Sequence, residues 1–367
     1  MIYRNKILPF IIIAFIAFII VSNTRMLSYA QESYTQINNN IAEINSIEIE
    51  HLTFNTLMAF PEKALSDSNN LSSIYDESKI TVNEFKNILE ELYKNNFVLV
   101  DIYDIIDITN NTIKQSNLPK DKKPLILSFD NVSYKSNYQN LGEIDKLIID
   151  RNNNLASYTT KKSIQDRVQY DNEFELILEN FIKKHNDFSF NNARGIIFLT
   201  GENGVLGYNT NHKNASSKYE QKRVSEVIKK LKSLGWRFGS NNYSYKSIST
   251  KNDLEFAKEL SLWNQEIKSL IGDTNIFAFP YGEYSENNVS KLELLLTNGF
   301  KIFFTNSFEN TITKSKDIFF MNRKEVNGNT LRNNSQQFEN LFDCKKVYDN
   351  EFRKVKFNSN QTPTINE

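Results

Sequence analysis

The feature of this 367-residue chain that most limits its fold is an alternation of short apolar runs with amphipathic stretches. Apolar runs of four to eight residues predict buried strands, and apolar residues at helical spacing predict helices. Repeated strand-then-helix units favour a mostly parallel sheet with right-handed crossovers. We predict strands at 47–54, 97–100, 125–129, 195–200, 275–279 and 300–305, and helices near 173–184, 221–234, 252–271 and 288–297.

Local signals add two further elements. Thr81 and Glu84 form a capping box ahead of the helical repeat Phe85, Ile88, Leu89 and Leu92, which predicts a helix start. The segment 146–158 has a polar centre between two apolar runs, which is typical of a hairpin insertion. Periodicity alone does not separate a barrel from an open doubly wound sheet.

Composition restricts the class of protein. A hydrophobic content of 40% in this length can bury a large core, compatible with one large domain after the N-terminal segment. Lys and Arg number 44 and Asp and Glu number 44, so no overall charge attracts nucleic acid, whereas a neutral glycan is a compatible partner. Cys344, the single cysteine, excludes an internal disulfide and a cysteine zinc cluster.

The N-terminus has the plan of a secretory signal peptide or membrane anchor. Arg4 and Lys6 precede an apolar run over 7–21, and Ser28-Tyr29-Ala30 follows as a candidate cleavage sequence. We therefore expect an exported protein, on the extracellular face of the membrane or secreted. The predicted organisation is signal or anchor 1–30, polar spacer 31–46, N-terminal part of the catalytic-type domain 47–118, core 119–335, and C-terminal extension 336–367 with a disordered end from 358.

Three segments carry the candidate site. Leu125–Tyr134 is a strand that ends in Asp130 and Asn131, Gly235–Tyr245 follows an amphipathic helix, and Phe277–Gly282 ends in Pro-Tyr-Gly. With these segments, and with the pieces Phe181–Phe190 and Leu199–Tyr208, the chain resembles the polysaccharide deacetylase family, or NodB-homology domain, over about 47–353. The resemblance is to a membrane-linked branch from Gram-positive bacteria, and it implies an irregular (β/α) barrel.

The resemblance also implies a set of site positions. In this family a strand ends in Asp-Asp, a later loop carries His-[Ser/Thr]-x-x-His, and the second Asp and both His bind a divalent metal such as zinc. The first Asp, the catalytic base, corresponds to Asp130, and the ligands correspond to Asn131, Asn241 and Tyr245. The family's late histidine has no counterpart after Pro-Tyr-Gly, and Ala278 lies near the place of its usual arginine.

The chemistry of these residues argues against a metal. Asn131 and Asn241 offer neutral amide oxygens, and Tyr245 offers a phenol with an ordinary pKa of about 10. Zinc prefers imidazole, thiolate or carboxylate donors. We expect no metal cofactor. Asp130 is then a residual base position or a strand-end carboxylate that caps backbone amides.

Two interpretations of the remaining site residues stay open. Asn131, Asn241 and Tyr245 either bind sugar through hydrogen bonds or fill a former metal cavity, and Tyr281 either stacks on a sugar or packs in a turn.

The sequence thus supports three functional hypotheses. The preferred one is an exported, catalytically inactive deacetylase-like protein that binds a cell-envelope N-acetylated glycan or a partner, with membrane attachment through the N-terminal segment and no nucleic acid. The second is an active deacetylase, which hydrolyses the C–N bond of acetylated sugars, with a non-standard metal site. The third is a non-enzymatic envelope scaffold.

Overall fold

The structure, a computed structural model, describes residues 49–114, 118–134, 141–160, 162–211, 215–284 and 288–357. The predicted signal or anchor segment, the polar spacer and the C-terminal end lie outside these ranges. Within the described residues, no helix combines the length and the apolarity needed to cross a membrane. The division into domains remains a prediction.

The elements follow one another as strands with intervening helices. The strands are β1 (Glu50–Phe54), β2 (Phe97–Leu99), β3 (Ile106–Asp107), β4 (Thr112–Ile113), β5 (Lys123–Phe129), β6 (Lys146–Ile149), β7 (Leu155–Tyr158), β8 (Val168–Gln169), β9 (Ile196–Leu199), β10 (Arg237–Ser240), β11 (Ile276–Ala278), β12 (Ile302–Asn306), β13 (Ile312–Ser315) and β14 (Ile318–Glu325). The helices are α1 (Pro61–Ala64), α2 (Ser72–Ser78), α3 (Val82–Lys94), α4 (Ile102–Ile105), α5 (Phe174–Lys184), α6 (Ala215–Leu234), α7 (Asp253–Trp263), α8 (Ser269–Ile271), α9 (Val289–Thr297), α10 (Gly328–Asn333) and α11 (Cys344–Val347).

Seven parallel strands close into a barrel. Their order is β1-β14-β12-β11-β10-β9-β5, and β5 pairs again with β1. The strand β2 extends β5 on the outside, and β13 forms an antiparallel hairpin with β14. Helices lie between successive barrel strands except between β12 and β14, where β13 makes the connection, and the predicted irregular (β/α) barrel is confirmed.

Side chains that alternate along each strand fill the barrel. A cluster of buried apolar residues, which includes Ile126, Ile196, Ile276, Ile302 and Phe319, occupies its interior. The intervening residues point outward into a larger cluster shared with the helices, where Phe129 stacks on Phe174 with ring centroids 3.7 Å apart. This two-sided burial is the reason why the strands are almost continuously apolar.

Several sequence predictions are confirmed in detail. The capping box of Thr81 and Glu84 begins α3, and β6 with β7 forms the predicted hairpin, which β8 extends. Other predictions need correction. The helix α6 starts at Ala215 rather than near 221, and the helix predicted over 252–271 contains a π-helical turn, Asn264–Lys268. The strand β14 was not predicted at all.

Candidate functional site

Polar side chains from several strands meet at the carboxyl-terminal mouth of the barrel. Asp130 and Asn131 follow β5, Asn241 follows β10, and Tyr281 follows β11. In parallel barrels this end carries the functional site, because the loops after the strands converge there. The strand β14 adds Arg323 and Glu325 to the same end.

Asp130 forms a buried two-pronged ion pair with Arg323. The Nη1 and Nη2 atoms of Arg323 donate to the two carboxylate oxygens at 2.8 and 2.9 Å, and the two side chains are 0% and 6% exposed. Thr53 donates to the same carboxylate at 3.4 Å. Asp130 thus bonds to side chains rather than capping backbone amides, and its arginine partner, Arg323, comes from β14.

Arg323 makes further hydrogen bonds to two other strands. It donates to Ser128 Oγ at 3.3 Å and to Asn306 Oδ1 at 3.1 Å. A hydrogen bond of 2.9 Å joins Ser128 Oγ to His51 Nε2. Burial, with a smaller contribution from the Arg323 charge, holds the pKa of His51 well below its usual value, so the imidazole is neutral. This histidine is part of the barrel interior.

Asn131 and Asn241 contact each other directly. The backbone N–H of Asn131 donates to Asn241 Oδ1 at 2.9 Å, and Asn241 Nδ2 donates to the carbonyl oxygen of Ala278 at 3.1 Å. Asn241 is fully buried and ties the ends of β5 and β11 together. Within the described residues, Asn131 Oδ1 is buried without a hydrogen-bond donor.

Tyr245 and Tyr281 form an aromatic pair at the mouth. Their ring centroids lie 4.9 Å apart with the planes at 51°, and Tyr281 is 56% exposed. Both residues have left-handed backbone conformations, with φ of 55° and 60°, as does Asn131 with φ of 55°. Such conformations cost roughly 1–3 kcal/mol each and concentrate at functional sites. Burial chiefly, and the charges of Asp130 and Glu325, raise the pKa of Tyr245 well above its usual value.

Glu325 is the second carboxylate at this end of the barrel. Asn327 Nδ2 donates to its Oε1 atom at 3.1 Å and Asn306 Nδ2 donates to its Oε2 atom at 3.4 Å. Burial raises the pKa of Glu325, and the charge of Asp130 acts in the same direction. The hydrogen bonds from Asn327 and Asn306 and the charge of Arg323 act in the opposite direction, and no lysine or arginine forms an ion pair with Glu325 in the described part of the chain.

An open cleft of about 450 Å³ runs along the mouth. Asn131, Tyr245, Tyr281 and Glu325 line it, while Asp130 and Asn241 do not. A further part of its lining comes from α2 and the residues around it, including Ile74, Tyr75 and Lys79. This volume and its mixed apolar and polar lining suit a small ligand or one or two sugar units.

The metal implied by the family resemblance does not fit these residues. Both oxygens of Asp130 are engaged by Arg323, and both polar atoms of the Asn241 side chain are engaged within the protein. Asn131 and Tyr245 offer neutral donors only. No group of three or more His, Cys, Asp or Glu side chains in the described ranges could hold a metal ion. The site therefore lacks the charged donor set of a catalytic zinc centre.

A comparison with known proteins tests the resemblance. Residues 188–297 match the sequence model of the polysaccharide deacetylase family. The matched segment includes Asn241, Tyr245 and Tyr281, and Asp130 lies outside it. The family predicted from the motifs is confirmed over this segment. A search of curated proteins gave no significant match.

Solved structures of deacetylases resemble the chain distantly. The Streptococcus pyogenes deacetylase PplD, in complex with acetate, is 11% identical with a TM-score of 0.45, and the match covers 77% of this chain and 94% of that one. A de-N-acetylase from Aggregatibacter actinomycetemcomitans is 12% identical with a TM-score of 0.44, covering 76% and 95%. Similarities of this size carry no conclusion about activity.

Sequence reasoning missed two residues of the site. Arg323 and Glu325 lie on β14, where the alternation Phe319, Met321, Arg323, Glu325 faces the barrel interior. That alternation is the signal that would have revealed the strand. The last two residues of this alternation are charged, so in the sequence the segment resembles a solvent-exposed one.

Proposed function

We propose that this protein is an exported, glycan-binding member of the polysaccharide deacetylase family that holds no catalytic metal and does not hydrolyse acetamides. The family match supports a polysaccharide ligand. The cleft and its aromatic pair support binding of a sugar, because sugar rings stack on exposed aromatic faces. The proposed target is an N-acetylated polymer of the cell envelope.

One observation carries the loss of hydrolysis. The deacetylase reaction needs a metal-bound water and a carboxylate base that can accept its proton. The only carboxylate at the base position is bound by a guanidinium on both oxygens, and it is 6% exposed.

Metal content and acetate release test this proposal together. Purified residues 31–367 are dialysed against zinc, cobalt or manganese, and bound metal is measured by mass spectrometry. Acetate release from chitooligosaccharide and peptidoglycan is assayed on the same samples. We expect far less than one metal ion per chain and no acetate above a buffer blank. Stoichiometric metal together with acetate release would overturn the proposal.

A rescue experiment tests the site positions. The triple variant Asn131→Asp, Asn241→His, Tyr245→His restores three charged or imidazole donors. We expect it to bind zinc measurably when the wild type does not. The single variant Asn241→His is the matched control, since it removes the same internal hydrogen bonds and supplies only one ligand. A triple variant that folds and binds no more zinc than this control contradicts the positions.

An active enzyme with a non-standard site is the second candidate. Glu325 favours this second candidate. The charges of Glu325 and Asp130 both raise the pKa of Tyr245, so the two carboxyl groups lie near the same phenol. Hard cations bind carboxylate and amide oxygens. The metal and acetate measurements decide between the two candidates, and Glu325→Gln would abolish the activity if Glu325 were a ligand.

Export is a separate part of the proposal. The basic and apolar N-terminal run supports it, and attachment to the outer face of the cytoplasmic membrane or release are its two forms. A fusion of residues 1–46 to a reporter that is active only outside the cytoplasm should be active. The same fusion lacking 7–21 is the control, and equal activity of the two would contradict export.

A further inference from the structure

Charged side chains along the cleft are paired with one another, with one exception. Lys79 Nζ lies 3.2 Å from Glu143, and Lys246 Nζ lies 3.8 Å from Glu202. All four residues line the cleft. Glu325 also lines it, and in the described part of the chain no lysine or arginine forms an ion pair with Glu325. The cleft therefore holds one carboxyl group that has no ion-pair partner among the described residues.

The position of Glu325 makes this carboxyl group available to a ligand. The side chain has two amide donors, from Asn306 and Asn327, which orient it without neutralising it. Burial raises the pKa of Glu325 and so disfavours its ionised form. A cation in the cleft would lower this pKa again, because a nearby positive charge stabilises the carboxylate. A carboxylate held in this way gains most from a positively charged group that brings its own hydrogen-bond donors.

Aromatic rings lie beside this carboxylate. Gly282, next to Tyr281, packs so tightly on Asn306 that an added Cβ would lie 2.2 Å from the Asn306 Cγ atom. Asn306 in turn donates to Glu325. The Tyr245 phenol is close enough to Glu325 for the carboxylate charge to raise its pKa. Aromatic faces attract cations, and these two rings therefore favour the same kind of ligand as Glu325 does.

A further acceptor belongs to a residue of the same lining. Asn131 lines the cleft, and its Oδ1 atom is buried without a donor among the described residues. A buried acceptor without a donor is unfavourable, and a ligand N–H that reached it would satisfy it. The cleft thus holds a carboxyl group without an ion-pair partner and an amide oxygen without a donor among the described residues.

We propose that the cleft selects amino sugars with a free ammonium group, so that Glu325, Asn131 and the Tyr245–Tyr281 pair recognise the deacetylated units of a partly N-acetylated glycan. This inference rests on the proposed glycan binding and narrows its ligand. An acetamido group offers one N–H and no charge, whereas an ammonium group offers three N–H donors and a positive charge. The protein would then bind the product of glycan deacetylation rather than its substrate.

Calorimetry with two matched oligosaccharides tests the inference. The ligands are the fully acetylated pentamer of N-acetylglucosamine and the fully deacetylated pentamer of glucosamine, at about pH 6, where the sugar amine is charged. The wild type should bind the deacetylated pentamer about tenfold or more tightly than the acetylated one. Glu325→Gln should abolish this preference, because the amide keeps the size of the side chain and removes its charge.

The matched control is Glu202→Gln, which alters a carboxylate of the same cleft whose charge is already balanced by Lys246. We expect it to keep most of the preference. Circular dichroism and thermal melting must show that both variants are folded. Equal affinity of the wild type for the two pentamers, or an unchanged preference in Glu325→Gln, would overturn the inference and leave glycan binding intact. Binding of neither pentamer would instead count against glycan binding itself.

Discussion

On the inner side of the barrel mouth, Asp130 and Asn241 have their side-chain atoms bound within the protein, whereas on the outer side Glu325 and Tyr281 line an open cleft. The inner carboxylate is paired with Arg323, and the outer one has only neutral amide partners. The difference teaches that the two carboxyl groups at one barrel mouth have different surroundings: the inner one is part of a buried structural joint, and the outer one lines the cleft that we propose binds a ligand.

Electrostatics explains why the inner joint needs an arginine. A carboxylate that is buried without a counter-charge is protonated or destabilises the fold, because removal from water costs several kcal/mol. The guanidinium of Arg323 provides two parallel hydrogen bonds to Asp130 as well as the charge. The rings of Phe198 and Phe304 lie 5.4 and 5.8 Å from its central carbon and contribute further attraction.

Breaking the inner joint should have the largest effect. Arg323→Met removes the counter-charge of a buried carboxylate, and we expect the free energy of unfolding to fall by about 3–5 kcal/mol in urea titrations. Adding Asp130→Asn to this variant should recover part of the loss. The control Lys301→Met, which breaks the half-exposed pair with Asp317, should cost less than about 1 kcal/mol. A loss no greater than that of the control would contradict the structural joint.

The amide bridge should have the next largest effect. Asn241→Ala removes two hydrogen bonds that link the strand ends, so we expect a loss of about 1–3 kcal/mol in the free energy of unfolding. The control is Asn87→Ala. Asn87 is exposed and makes one long hydrogen bond of 3.5 Å to the Val347 carbonyl oxygen, so its loss should lower the free energy of unfolding by less than about 0.5 kcal/mol. Indistinguishable unfolding curves for the two variants would show that the bridge contributes nothing.

Two buried carboxyl groups near the cleft, Glu173 and Glu175, should make the stability of the fold depend on pH. Burial raises the pKa of Glu173 to about 8, against an ordinary 4.5, and it also raises the pKa of Glu175, which accepts a hydrogen bond from Tyr134. The stability from protonated Glu173 is fully present below about pH 4.5 and is lost as the pH rises through about 8.

Glu173→Gln imitates the protonated form at every pH. Its free energy of unfolding relative to the wild type should therefore rise by on the order of 1–3 kcal/mol from acid to mildly alkaline pH. The exposed Glu77 supplies the control Glu77→Gln, which should follow the wild type at each pH. A constant difference between Glu173→Gln and the wild type would contradict protonation of Glu173.

A substitution on the outer side of the mouth should have the smallest effect on stability. Tyr281→Ala should change the free energy of unfolding by less than about 0.5 kcal/mol, because the ring is 56% exposed. Affinity for the glucosamine pentamer should nevertheless fall about fivefold or more. Tyr219→Ala, at an exposed position on α6, is the matched control and should alter neither quantity. Unchanged pentamer affinity in Tyr281→Ala would remove the aromatic pair from the proposed binding site.

The sequence predicted five of the seven barrel strands (β1, β5, β9, β11 and β12) and most of the long helices, with errors of a few residues at most ends, but it missed the barrel strand β10 (Arg237–Ser240) as well as β14. Apolar runs and capping signals such as Thr81 with Glu84 are local, and local signals survive without knowledge of the fold. The positions of Asn131, Asn241 and Tyr245 came from the family motifs. The partner of Asp130 did not, because Arg323 is 193 residues away and lies on a strand whose charged end conceals its pattern.

The sequence by itself determined most of the repeating β/α elements, the family match of residues 188–297 and the neutral side chains at the positions where the resemblance predicts metal ligands. Only the tertiary structure decided which carboxylate is bound within the protein and which one faces the cleft. Closure of the barrel brings β14 beside β1 and places Arg323 against Asp130. Glu325 lies two residues further along β14, toward the mouth. Charges so distant along the chain acquire their roles only through this closure, since their energies depend on separation and burial.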